Sequence, residues 1–297
     1  MIAETFLSLV QLILLGVLLG GLYALIGIGF SLVFGVINVG NVAHGDFMIL
    51  AAYISLTLMT SLGIDPLLSL IVTVPFMFLL GFLIQKFLMN RLMHLGPEPI
   101  LIVAFFLSII IENLLLLTYK EIFRTLATPY FMASFELMGF LKVPISYLLD
   151  FLIALASTVI LHAFLHRTYL GTAIRAAADD PRAAELLGIK TSDVYAYCFG
   201  ISLIFAAIAG VLVGMTFSFN FSSGVLYLGT CLCVAVIGGL GSMKGTFIGG
   251  IILGTAQILG GQYLGIGYQV FIGYIILVVI LVVRPQGLFG ARGRRGG

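Results

Sequence analysis

Residues Arg175 to Ile189 read RAAADDPRAAELLGI, and they differ from everything around them. The 297 residues carry 26 formally charged side chains, 14 Lys and Arg plus 12 Asp and Glu. Eight of these fall in one internal stretch: Arg167, Arg175, Asp179, Asp180, Arg182, Glu185, Lys190 and Asp193. The chain is otherwise apolar, 61% hydrophobic and 9% charged, where soluble domains carry about a quarter of their residues charged. Water could not solvate so much apolar surface. The chain is therefore a polytopic membrane protein, and this stretch is one of its wet loops.

The loop has helix punctuation. Asp180 can cap free amides, and Pro181 fits the first helical position without losing a hydrogen bond. PRAAELL then gives two turns of good helix formers, and Gly188 is a good stop. Thr191, Ser192 and Asp193 offer caps to the next span. A two-turn helix is marginal alone in water, so it needs a surface to rest on. That surface is either its own protein's face or another protein's groove. In the second case Leu186 and Leu187 are the apolar anchors, with Arg182 and Glu185 at the rim.

Outward from this loop, a span needs about 20 mostly apolar residues. Candidates run over about 6–30, 45–62, 66–86, 98–119, 145–165, 194–218, 226–241, 244–262 and 267–284. The pair 226–241 and 244–262 is the least clear, and 29–44 is ambiguous. The expected fold is all-α, a single domain over 1–297 with eight to ten spans. The apolar run from Phe6 passes Ile28 without a cleavage site, and the only early charge is Glu4, so a first span is expected rather than a cleaved signal. In a nine-span arrangement, four basic sites fall on one side: Lys86, Arg91 and His94; Arg167 to Lys190; Lys244; and Arg284, Arg292, Arg294 and Arg295. That side is cytoplasmic by the positive-inside rule, and the C-terminus with it. The opposite loop 120–143 holds Lys120, Arg124 and Lys142 beside Glu121 and Glu136.

Glycine gathers in GVLLGGLYALIGIG (16–29) and GGLGSMKGTFIGGIILG (238–254), with small-xxx-small spacings at Gly16/Gly20, Gly245/Gly249 and Gly250/Gly254. Such spacing suits close helix packing in lipid, or two related halves with broken helices.

Bond-making chemistry is missing. GSMKGT fails as a phosphate loop because Met243 precedes Lys244. His162 and His166 share a helix face but have no third ligand nearby, so no metal and no cofactor are expected. Cys198, Cys231 and Cys233 sit in apolar stretches as small apolar residues. A net charge of +2 is too small to suggest nucleic acid. Any energy must come from a partner or an ion gradient.

Two polar interruptions remain. NVGNVAHGDFM (38–48) places Asn38, Asn41, His44 and Asp46 in apolar sequence. It is either a turn capping the next helix or a broken helix beside a substrate path. A helix beginning near Gly45 would aim free amides at an anion such as an amino-acid carboxylate. Asp46 complicates that: it could cap the helix or attract an ammonium group. Glu112-Asn113 lies inside SIIIENLLLL, where a carboxylate must pair within the bundle, line the path or be protonated.

IRAAADDPRAAELLGIKTSDV (174–194) resembles the cytoplasmic coupling loop of ABC-importer permeases of the branched-chain amino acid family. GGLYALIGIGFSLVFGVINVGNVAHGDFMILAAY (20–53), GVLVG (210–214), AVIGGLGSMKGTFIGGIILG (235–254) and RPQGLFG (284–290) are similar to that family too, and the length suits its LivH-type subunit. The resemblance implies a longer LivM-type partner, two cytoplasmic ATPases, an external binding protein and an amino-acid cargo in the inner or plasma membrane. It implies ATPase contact through Arg175, Ala176, Ala178, Asp179, Asp180, Leu187 and Gly188. The loop departs from the Glu-Ala-Ala plus Gly of other importers: here Ala177-Ala178-Asp179 comes first and the Gly later. Similar proteins tend to carry Gln-Asn where this chain has Glu112-Asn113, so the resemblance does not require the ionisable group. Urea or short amides are the alternative cargo. A proton-coupled secondary transporter using Glu112 and a passive channel are the rivals from other classes.

Overall fold

The structure is a computed structural model, and it describes residues 2–131, 133–137 and 141–290. Arg292, Arg294 and Arg295, which the charge argument counted, lie outside the described residues.

Eleven α-helices make up the described fold. They are α1 (Ile2–Ile37), α2 (His44–Leu62), α3 (Pro66–Leu83), α4 (Pro97–Tyr119), α5 (Ile145–Arg167), α6 (Tyr169–Asp179), α7 (Pro181–Leu186), α8 (Thr191–Thr216), α9 (Ser223–Gly238), α10 (Met243–Leu264) and α11 (Gln269–Val283). Eight are long and apolar enough to cross a membrane, α3 extended by short turns to Arg91 and α11 by a turn from Ile266; α9, at 16 residues, is a shorter apolar helix. The ambiguous 29–44 resolves into a continuation of α1 to Ile37 and a six-residue break over 38–43. One small antiparallel hairpin, β1 (Ser134–Leu137) with β2 (Leu141–Pro144), interrupts the all-α expectation in the long loop.

The centre is built from α1 and α8. Helix α1 packs on α10, α8, α5 and α9, while α8 packs on α3, α1 and α2 and is almost wholly buried. The two glycine-rich segments turn out to be partners. A Cβ on Gly16 would meet Thr255 Cα at 2.5 Å, one on Gly20 would meet Ile251 Cα at 2.5 Å, and one on Gly250 would meet the Ala24 nitrogen at 2.5 Å. Lipid supplies no hydrophobic drive for association, so this seam rests on close backbone packing that only glycine permits. Gly245 and Gly249 lie against Gly238 and Val234 of α9 in the same way. By contrast, α4 and α11 leave Phe105, Ile110, Leu117, Val278 and Val282 exposed, as a lipid-facing or partner-facing surface requires.

The basic loops share one end. Lys86 lies 3.4 Å from Asp193, Asn90 donates to the Ser192 carbonyl at 2.8 Å, and Leu288 N–H donates to the Ile237 carbonyl at 3.0 Å. The opposite end joins Asp65 to the Tyr130 hydroxyl at 2.8 Å, Arg124 to Phe219 through paired backbone bonds, and Gln11 to the Lys142 carbonyl at 2.5 Å.

Candidate functional site

Two breaks meet inside the bundle. Helix α1 runs to the basic end, breaks over 38–43, and α2 starts back inward at His44. Helix α8 runs the other way, breaks over 217–222, and α9 starts at Ser223. Each break is six residues long, and the first turns of α2 and α9 press together. A Cβ on Gly45 would meet the Gly224 carbonyl oxygen at 2.0 Å, and one on Gly224 would meet Asp46 Oδ1 at 1.9 Å. No other residue fits at either position.

The polar side chains of this junction are almost completely buried: Asn41 is 4%, His44 1% and Asp46 2% exposed. Asn41 Oδ1 accepts from the Ala43 N–H at 3.1 Å, a local bond that turns the chain towards α2, while its Nδ2 has no partner. The His44 ring stands edge-on to Phe30 and beside the Ile26 carbonyl, yet neither ring nitrogen closes a hydrogen bond. Asp46 Oδ2 accepts from the Ser108 hydroxyl of α4 at 2.5 Å, and its Oδ1 rests on Gly224 without a partner. Ser202 Oγ and Tyr53 Oη are likewise buried and unpaired. A buried unpaired polar group costs about 1–3 kcal/mol, so this cluster is chemically unfinished. Asp46 belongs to the first turn of α2 and rests against Gly224 in the first turn of α9, beside two helix N-termini that favour an anion.

The other expected path residues sit differently. Asn38 is exposed and left-handed at φ 58°, and its N–H returns to the Phe34 carbonyl, so it stops α1. Asn113 faces outward and donates to the Ile109 carbonyl of its own helix. Glu112 is half-buried and close enough to Asp46 for the two carboxylates to repel. Sequence patterning missed Ser108, Ser202 and Gly224, which reach the junction only through tertiary packing.

At the basic end the loop contains two helices where one was expected. Helix α6, with Arg175, Ala176, Ala178 and Asp179, lies on α5, α1 and α8 with Ala173, Ile174 and Ala177 buried. Helix α7 follows the expected punctuation: Asp180 Oδ1 accepts from Arg182 N–H and Ala183 N–H at 2.9 and 3.0 Å, Pro181 opens the helix, and Gly188 leaves it at φ 84°. The expected Thr-Ser-Asp cap on the next span does not form. Lys190 occupies the N-cap position without a side-chain bond, and the Thr191 hydroxyl bonds the Glu185 carboxylate instead, tying α7 to α8. The tie holds Ala184 inward and turns Leu186 and Leu187 outward, 89% and 81% exposed. The cysteines are buried free thiols as expected.

The sequence profile of a permease family, described as the branched-chain amino acid transport system / permease component, matches residues 12–281. This chain belongs to that family. A high-affinity branched-chain amino acid transport system permease protein, BraD of Pseudomonas aeruginosa, is 32% identical over 93% of this chain and 94% of its own. The protein of that system named LivH in Salmonella typhimurium is 33% identical over 97% of each chain. A probable LivH of Methanocaldococcus jannaschii is 28% identical over 92% of this chain and 90% of its own. The chain is thus a multi-pass membrane permease.

Proposed function

We propose that this permease is one membrane subunit of an ATP-driven importer whose cargo is leucine, isoleucine, valine or a related amino acid. Its partners are a similar LivM-type subunit, two ATPases and an external binding protein. The positive-inside rule makes the basic end cytoplasmic, which puts the C-terminus inside and the start of α1 outside. The observation that carries the reading is the pair Leu186 and Leu187. They are largely exposed, on and just after a capped helix that carries Arg182, at the end where an ATPase would dock. Two large leucines at such exposure, on a helix too short to stand alone, suit a helix-in-groove contact. Movement of α6 and α7 reaches the spans through α5 and α8, to which they are joined.

In this reading the cargo crosses where α2 and α9 meet, once the two breaks part. At the junction the first turns of α2 and α9 are in contact, with Asp46 between them. Parting exposes Asp46, His44, Asn41 and Ser202 together, a carboxylate for the ammonium group among hydrogen-bonding groups left unpaired. Ala176, Ala178, Arg175, Asp179, Asp180, Pro181, Glu185 and Gly188 serve the docking end. The test is leucine uptake by the whole complex in proteoliposomes. Uptake should follow ATP and ignore an imposed proton gradient. Uptake driven by the gradient alone, and lost in Glu112→Gln, would sink this reading in favour of a secondary transporter.

A further inference from the structure

A cavity of about 320 Å³ opens at the basic end between α1, α5, α6 and α10, apart from the junction and from the exposed leucines. Its rim holds four basic or titratable side chains from three elements: His162 and His166 of α5, Arg175 of α6 and Lys244 of α10. None of the described residues lining it is acidic. Its deeper wall is apolar, formed by Leu32, Val36, Leu165 and Ile174.

These groups crowd one another. The two imidazole rings stand 4.1 Å apart, and Lys244 lies close to His162. His166 Nδ1 donates to the His162 carbonyl at 2.8 Å, which leaves Nε2 as its remaining ring nitrogen. Arg175 and Lys244 bring like charges from two separate elements to one rim, and a bound anion would relieve them and favour the protonated form of both imidazoles. The first turn of α10, capped by Ser242 Oγ at 3.2 Å from Gly245 N–H, adds the positive end of a 22-residue helix to the same rim. A volume of this size suits a small-molecule headgroup. Basic pockets between membrane helices at the cytoplasmic side suit phosphate-bearing lipid heads.

We propose that this cavity binds a phosphate ester, its negative head between Lys244, Arg175 and the histidine pair. The apolar wall behind the head favours an amphiphile, which the cytoplasmic leaflet supplies as an anionic phospholipid. Occupied in this way, the ligand joins α6 of the docking loop to α1, α5 and α10, and stiffens the lever between the loop and the spans.

The test uses the full chain, purified from membranes with its co-purifying subunits and analysed by native mass spectrometry. Phosphatidylglycerol is titrated against phosphatidylcholine of the same acyl chains, with inorganic phosphate as competitor. Phosphatidylglycerol should bind at least about tenfold more tightly, and His162→Gln with Lys244→Gln should remove about tenfold of that preference. Lys142→Gln at the opposite end should leave it unchanged, and Lys244→Arg should preserve it, which separates a lost site from a lost fold. Millimolar phosphate displacing the lipid, or alone raising the melting temperature of wild type but not of the double variant, assigns the site to free phosphate. Persistence against phosphate assigns it to lipid. Equal binding of the two lipids without any phosphate effect overturns the proposal. So does a preference that the double variant keeps.

Discussion

The junction at Gly45 and Gly224 and the loop at Asp180 to Gly188 are opposites in construction. At the junction the polar groups are inside, the backbones touch, and several buried atoms lack partners. In the loop the polar groups are satisfied locally, and the apolar side chains point outward. The first is made by contacts between residues distant in sequence, and the second by bonds between neighbours. The difference teaches where each is fragile. A junction of touching backbones tolerates no added atom. A loop of local bonds tolerates most changes except those at the surface it offers a partner.

The largest effect should follow a side chain placed in the junction. Gly45→Val drives its Cβ into the Gly224 carbonyl, and overpacking of this kind costs about 3 kcal/mol. Thermal unfolding in detergent should show a large drop, or the yield of folded protein should collapse. Gly188→Ala is the contrast in the loop. Its φ is 84° but nothing lies within 4 Å of the new methyl group, so the cost is the left-handed backbone alone, about 1 kcal/mol. Equal losses at the two sites would break the comparison.

Next comes Leu186→Asp with Leu187→Asp. Both side chains are exposed, so melting of the isolated chain should hardly move. Buried apolar anchors at interfaces are worth about 2 kcal/mol or more each, so ATPase co-purification and ATP-driven uptake should fall at least about tenfold. Unchanged co-purification would return α7 to a purely structural role.

Third, His44→Ala and Asn41→Ala should lower uptake per assembled complex several-fold, while complex yield stays near that of wild type. Asn41→Ala gives up one local bond, to the Ala43 N–H, worth about 1 kcal/mol, too little to unfold the chain. Normal uptake in both variants would move the path away from the junction. The smallest effect belongs to Asp180→Ala. It removes a cap to two amides, a loss of about 1 kcal/mol, readable as faster hydrogen exchange over residues 181–187.

The membrane class, most span boundaries and the loop helix were legible in sequence because they rest on local rules. Twenty apolar residues must cross a bilayer, and Asp180 reaches amides two and three residues on. Gly188 was legible for the same reason, since a left-handed residue after a helix is a property of its own backbone. The missing Thr-Ser-Asp cap shows the limit. Thr191 had a local use available and gave its hydroxyl to Glu185, six residues back, because packing brought α7 there.

What only the tertiary structure decided is the partner of each buried group. Nothing near Asp46 in sequence announces Ser108, 62 positions away, and nothing near Tyr23 announces Gln257, 234 positions away. The glycine spacings told that helices approach closely, while which helices they were, α1 with α10 and α9 with α10, came from the fold. Composition and periodicity report how each residue stands toward its own helix and toward lipid. The meeting of two broken helices, and the carboxyl group that lies between their first turns, depends on distances between segments that no local pattern contains.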